Sequence, residues 1–346
     1  MPDHNVRRWR QAAKRIPFID RELRALRRTD EIEALQRELQ QRELVAQQSS
    51  TPPIAPAQFE QWTGRIMDEG VIPFLEWVPP GHFYSPVPTM GEIDEQRDRI
   101  FQDPDHLDGL DLNEEGQLTL LQTLAPLMSD ASFNTEPEPD RRYFAKNDFY
   151  GLGDALILQA ILRHVRPQRY LEVGSGWTTA LALDTNEQWL DSRLRITCIE
   201  PKPDHLNRLL RPGDDVEVIV SPVQDVDLTR FTELESGDIL FIDCSHVVRT
   251  GSDAHHLITR VLPIVPAGVY IHIHDMFWPF EYPRQWVEEG RAWTEAYLLH
   301  AFLLFNRAFE IVLFNDWLTS RNYERMVSEV PALAPGAGGA LWLRRR

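Results

Sequence analysis

Cysteine is scarce in this chain: Cys198 and Cys244 are the only two among 346 residues. Both lie inside apolar runs, so neither a disulfide scaffold nor a cysteine-based zinc module can be built from them. Long hydrophobic runs are missing as well. No stretch of about 18 apolar residues occurs, which excludes a helical membrane span. The opening residues, MPDHNVRRWRQAAKR, lack the apolar core of a secretory signal, and the expected location is the cytoplasm. Basic residues are outnumbered: 36 Lys and Arg face 53 Asp and Glu, a formal net charge of −17. So acidic a chain is not expected to bind nucleic acid or an anionic membrane, because the attraction to phosphate would carry the wrong sign. Apolar residues, by contrast, make up 42% and include ten Trp, enough for a large core and too many for wholesale disorder.

Composition divides the chain into zones. Residues 1–48 are highly charged, with Leu23, Leu26, Ile32, Leu35, Leu39 and Leu44 spaced irregularly, a pattern for a solvated helix or weak coiled coil that offers a homo-oligomer contact. SSTPPIAPA at 49–57 reads as a linker. Residues 58–140 read as a cap region, with helices near 58–69 and 114–129 and an irregular aromatic loop at 80–90. From 141 to 346, apolar runs of strand length alternate with helical ones. The strands are RYLEVG (169–174), LRITCIE (194–200), VEVIV (216–220), DILFID (238–243) and GVYIHIHD (268–275), followed by FEIVLFN (309–315) and GALWLRR (339–345). Helices are expected at 155–165, with Asp154 as N-cap, at 177–190, 203–210 and 252–262, as one long helix over 284–305, and at 318–328. Near-continuous apolarity means strands buried on both faces, hence a doubly wound α/β domain with a mostly parallel sheet.

Three features of this domain point to a nucleoside ligand. Glu172-Val-Gly174-Ser175-Gly176 is a strand running into a glycine turn and a helix start, where backbone N–H groups can approach a ligand closely. A third glycine in dinucleotide spacing would fall at 179, which is Thr, so the dehydrogenase fingerprint is absent. Glu172, two residues before the first glycine, suits a ligand with a cationic centre; the turn taken alone is equally a tight strand–helix connection. Glu200 ends the next strand, where a carboxylate can accept both ribose hydroxyls. Gln224 and Asp225 follow the third strand, within reach of an adenine amino group or simply solvated.

Together these residues resemble the class I S-adenosylmethionine-dependent methyltransferases: Glu172-x-Gly174-x-Gly176, Glu200, Asp225, and Asp243 after the fourth strand. The finish FEIVLFN then GALWLRR is similar to that fold's last two strands, implying a Rossmann-like sheet of seven. More narrowly, GHFYSPVP, RYFAKNDFYGLGDA, EVGSGWTT, DCSHVVRTGSD and HIHDMFWPFEYP resemble a bacterial methyltransferase family often encoded among polysaccharide-biosynthesis genes. The resemblance covers roughly 75–345, with Thr178 in place of the usual third glycine of the cofactor turn. It implies S-adenosylmethionine as cofactor and a methyltransferase activity.

Asp243 and His246 in one loop, and His274 and Asp275 at the end of the next strand, lie where open α/β sheets place their ligands. Asp243, His274 and Asp275 offer O and N donors for a divalent ion such as Mg²⁺ or Mn²⁺. The arrangement is similar to metal-dependent sugar O-methyltransferases, with His274 standing where those enzymes carry a carboxylate. His246 is the candidate general base, since a neutral imidazole can take a hydroxyl proton, and Asp243 its partner. His272, deeper in the strand, is expected to be a satisfied core residue. His82, Tyr84, Trp278, Glu281 and Tyr282 form a candidate aromatic platform for a sugar or other small acceptor. The expected activity is O-methyl transfer to a hydroxyl of a glycan or related small molecule. The rival is a non-catalytic nucleoside-binding or assembly protein on the same fold.

Overall fold

The computed structural model describes residues 77–78 and 81–346, apart from Ser132. The chain forms two units, 1–85 and 86–346. The expected charged helix or coiled coil over 1–48, the linker at 49–57 and the helix near 58–69 lie outside the described residues. In the first unit, the rings of His82 and Phe83 stack, and the Tyr84 ring lies tilted against both.

The boundary at Ser85–Pro86 differs from the one expected at 140. Helix α1 (Glu114–Ser129) buries Leu121, Leu124, Ala125 and Met128 in the same core as the sheet, so it belongs to the second unit. Helix α2 (Leu152–Val165) follows and is buried along nearly its whole length. Its N-cap is Gly151, not Asp154. Asp154 sits inside the first turn, accepting from Asn315 Nδ2 at 3.0 Å and the Gly339 N–H at 3.2 Å; burial raises its carboxyl to about 6.

The strands are β1 (Arg169–Val173), β2 (Arg195–Ile199), β3 (Val216–Ile219), β4 (Ile239–Ile242), β5 (Tyr270–His274), β6 (Phe309–Phe314) and β7 (Ala340–Arg345). They form one sheet in the order β3-β2-β1-β4-β5-β7-β6, with β7 antiparallel to both its neighbours and β1 to β5 parallel. Every residue of β4 is buried, as its unbroken ILFI demands of a strand covered on both faces. His272 is a core residue but not a satisfied one. It stacks on Phe241 at 3.9 Å, meets Trp342 edge-on, and neither ring nitrogen has a hydrogen-bond partner. Burial therefore pushes it well below the usual range and keeps it neutral.

Two helical expectations break into pieces. The segment 252–262 is a short α-turn (Asp253–His256) continued by a π-turn (Leu257–Val261). The long helix over 284–305 is interrupted: one turn at Arg284–Glu288, then Gly290 at φ +87°, and helix α4 at Glu295–Leu303. Helix α3 (Trp177–Trp189) follows β1 as expected. Strand order reverses between β1 and β4, so their carboxyl ends open a crevice where ligands of such folds bind.

Candidate active site

The two loops at the crevice are built against each other. Gly174, just past β1, has φ +85°, and a Cβ there would lie 2.1 Å from the backbone oxygen of Asp243, just past β4. Glycine is required on both counts. Asp243 donates its N–H to Val173 O at 2.9 Å, and Gly174 donates to Ile199 O at 3.0 Å, so the loop starts stay in register with the sheet.

Ser175, Gly176, Trp177 and Asp243 line a cavity of about 380 Å³, with Phe149, Tyr150 and His205 from flanking segments. A larger cavity, about 660 Å³, lies at the opposite edge, among Arg169, Arg195 and Asp215 where strands begin. Ligands of doubly wound sheets bind at carboxyl ends, so the smaller cavity is the candidate. Phe149 is 75% exposed beside it, an uncovered aromatic face.

Glu172 does not line this cavity. Its fully buried carboxyl turns under the first turn of α3 and accepts from the hydroxyls of Thr178 and Thr179. Thr178, standing where the resemblance leads one to expect glycine, is thus one of its two hydroxyl partners. Burial pushes Glu172 up to about 8, only partly opposed by those hydroxyls. The folded protein then holds a proton that the unfolded chain releases near pH 4.5, so stability falls as pH rises from there to about 8. Glu172→Gln removes this term. Its stability relative to wild type should increase with pH across that window, by up to about 1.4 kcal/mol per pH unit. Urea denaturation of both proteins between pH 5 and 8 measures this, and a difference that does not change with pH would refute it.

Glu200 follows β2 as expected, half-buried, accepting the Lys202 N–H at 2.8 Å and lying 3.5 Å from Ser175 Oγ. Its carboxylate is therefore tied to the glycine turn. Gln224 donates to Gly251 O at 2.8 Å, and Asp225, next to it in the same short turn, is exposed.

Beside Asp243 the structure gathers a cluster that includes a residue not expected in it. His246 Nε2 lies 3.3 Å from Asp243 Oδ1 and 3.3 Å from Asp275 Oδ2. One donor atom from each of these three residues lies within 4.8 Å of the others. His274, expected as the third ligand, stands behind the cluster, with Nε2 3.6 Å from Asp275 Oδ1 and its ring against Tyr150. His246, in the loop after β4, and Asp275, directly after β5, both adopt left-handed φ, +58° and +56°, and their side chains meet beside Asp243.

His246 is not the free imidazole that a general base needs. Burial disfavours its charge, but hydrogen bonds and charges from Asp243 and Glu295 outweigh burial and push it up to about 10. In turn, burial works to raise Asp243, while the His246 hydrogen bond and the nearby His274 and His246 charges hold it below the usual range. Burial lifts Asp275. Asp243 and Asp275 offer two carboxylates beside His246 Nε2, a set of hard and borderline donors that fits a divalent cation, while Glu295 adds a third negative charge on the Nδ1 side of the ring.

The aromatic platform is also differently composed. Trp278 and Tyr282 are core residues: Trp278 Nε1 donates to Pro104 O at 3.1 Å, and Tyr282 Oη accepts from the Ala296 N–H at 3.1 Å. Glu281 is half-buried and accepts from Tyr297 Oη at 2.7 Å. The half-buried rings nearest the cluster are instead Trp293, 4.4 Å from the His246 ring, and Trp286, 5.3 Å from Trp293. Arg291 lies over both indoles. Sequence reading missed these residues because it placed them inside one continuous helix; Gly290 was the signal that would have freed them.

Residues 171–276 match a family model described as a methyltransferase domain. An uncharacterized protein of Archaeoglobus fulgidus is 36% identical over 166 residues, 46% of this chain and 75% of the relative. Among solved structures, the Podospora anserina methyltransferase PaMTH1 bound to SAH is similar at 17% identity and a TM-score of 0.39, over 75% of this chain and 98% of that one. An O-methyltransferase from Bacillus cereus in complex with SAH is similar at 13% identity and a TM-score of 0.34, over 74% and 97%. Residues 171–276 thus form a methyltransferase domain, and the sheet that holds them, with the antiparallel β7 inserted beside β5 and a glycine turn after β1, has the class I methyltransferase fold. The chain belongs to one family with the archaeal protein.

Proposed function

We propose that the protein transfers a methyl group from S-adenosylmethionine to a hydroxyl of a sugar, glycan or related small acceptor. The carrying observation is the convergence, at the β1/β4 crevice, of the glycine-turn cavity with the Asp243–His246–Asp275 cluster. In this reading Ser175 and Gly176 form the cavity wall against the cofactor, Glu200 takes the ribose hydroxyls, and Gln224 and Asp225 lie toward the adenine. Asp243 serves both cavity and cluster. The acceptor lies over Trp293 and Trp286, whose faces suit sugar C–H surfaces.

Asp243, His246 and Asp275 would hold a divalent cation such as Mg²⁺ or Mn²⁺, which when bound lowers the pKa of a hydroxyl oxygen. In this reading the three residues orient the acceptor oxygen toward the sulfonium methyl. A C–O bond forms as the C–S bond breaks, and the hydroxyl proton passes to the Asp275 carboxylate, which burial makes more basic than usual. The raised affinity of His246 for its proton counts against a free base at neutral pH, and a bound cation would have to displace the Nε2 proton. The second reading, a non-catalytic nucleoside-binding protein on this fold, predicts cofactor binding with no turnover.

Calorimetry with S-adenosylmethionine and S-adenosylhomocysteine, followed by methyl-transfer assays on a glycan panel, separates the two. Glu200→Ala should weaken cofactor binding by about 1.5–3 kcal/mol, the value of a hydrogen bond to a charged group. Undiminished affinity in that variant would remove Glu200 from the site.

A further inference from the structure

The two nitrogens of His246 face different ways. Nε2 addresses Asp243 and Asp275, whereas Nδ1 lies 3.0 Å from Oε2 of Glu295. Glu295 is the first residue of α4 and is 1% exposed, in a region where a carboxylate is costly to bury without partners. Its other oxygen accepts from the Cys244 thiol at 3.2 Å. The backbone repeats the pairing: the N–H groups of Thr294 and Glu295 donate to His246 O at 2.9 and 3.0 Å, so the open end of α4 is capped by the residue its side chain grips. Glu295 does not line the cofactor cavity.

We propose that Glu295 is the positioning residue of this site, acting through His246. To ligate a cation His246 must give up its Nε2 proton, and only the neutral form that keeps Nδ1–H leaves a lone pair on Nε2. The Glu295 carboxylate accepts that Nδ1–H, selects the tautomer, and fixes the ring plane so that Nε2 points between Asp243 and Asp275. Carboxylates behind ligating histidines do this in metal sites generally, and their loss lowers metal affinity about 10–100-fold. The buried acid on α4 thus has a reason to be there that packing alone does not supply. The affinity part of this proposal rests on the cation reading above; the ring orientation does not.

The test uses Glu295→Met, which keeps volume without an acceptor, Glu295→Gln, whose amide oxygen still accepts, His246→Ala, and the Glu295→Met/His246→Ala double variant. Calorimetry with Mn²⁺ should show affinity about 10–100-fold lower in Glu295→Met and a smaller loss in Glu295→Gln, with S-adenosylhomocysteine affinity unchanged in both. Adding Glu295→Met to His246→Ala should cost nothing further. An equal loss in both backgrounds would overturn the proposal. Should Glu295→Met fail to fold, Glu295→Gln decides: the weaker neutral hydrogen bond predicts at least about a threefold loss, and unchanged affinity overturns it. If the wild-type protein takes up no Mn²⁺, the cation reading fails and a crystal structure of the Glu295→Met protein decides instead. A His246 ring turned away from Asp243 or Asp275 supports the proposal, and a ring still bonded to both refutes it.

Discussion

Treatment with EDTA is expected to abolish methyl transfer, and added Mn²⁺ or Mg²⁺ to restore it, while S-adenosylhomocysteine affinity stays unchanged. The expectation follows from the charges around His246. Three carboxylates crowd one imidazole, and Asp243 also lines the glycine-turn cavity. Asp243→Asn keeps the volume and removes one anionic donor, and should lower the rate by at least about 10²-fold, the order lost with a single transition-state charge contact. If His246 instead works alone as a base, EDTA does nothing. His246 is pushed up to about 10, so its deprotonated fraction, and with it the rate, would then climb through neutral pH and level off only near that value. The slope would be about tenfold per pH unit, and His246→Ala would cost about 10²–10⁴ in rate. A rate indifferent to EDTA that follows this profile would displace the cation reading.

Replacing Arg142 with Met should cost about 3–5 kcal/mol of stability, because it strands buried carboxylates rather than because it removes a favourable pair. The Arg142 side chain is 2% exposed and bridges Asp184 at 2.8 Å, Glu187 at 2.6 Å and Asp214, the two aspartates being 4% and 5% exposed. Asp184 also accepts the N–H groups of Arg142 and Tyr143. Burial works to raise Asp214, yet Arg142 and Arg211 hold it below the usual carboxylate range. Without Arg142, both aspartates would take up protons more readily. The penalty should therefore be largest near neutral pH and shrink as pH falls toward 4, as followed by urea denaturation across that range. A loss below about 1 kcal/mol, or one that does not change with pH, would show the bridge to be dispensable. The residues after Arg142 carry Phe149 and Tyr150 to the cofactor cavity, with Tyr143 Oη donating to Tyr150 O at 2.9 Å. Cofactor affinity in this variant should fall as well.

Sequence alone determined the sheet and the position of its crevice. Unbroken apolar runs such as ILFI are buried on both faces wherever they sit, and a glycine turn directly after a strand must lie at that strand's carboxyl end. Glu200, Asp243 and Asp275 were legible for the same reason: each directly follows a strand, so its place is set within a residue or two. What lies around those ends was decided by tertiary structure. Glu172, read as facing a cationic ligand, turns beneath α3 because Thr178 and Thr179 offer it two hydroxyls. Trp278 and Tyr282, read as an acceptor platform, went into the core once their polar atoms found Pro104 and Ala296. His246 takes the place expected for His274 because the loop after β4 folds it onto Asp275, with left-handed backbone at both 246 and 275, and a loop path is not encoded by strand pattern. Glu295 is 49 residues from His246. Only the break at Gly290, which starts a new helix against the carbonyl of His246, brings its carboxylate to Nδ1. Strand ends are fixed by local pattern, whereas partners across the crevice are fixed by which elements pack, and packing is a property of the whole chain.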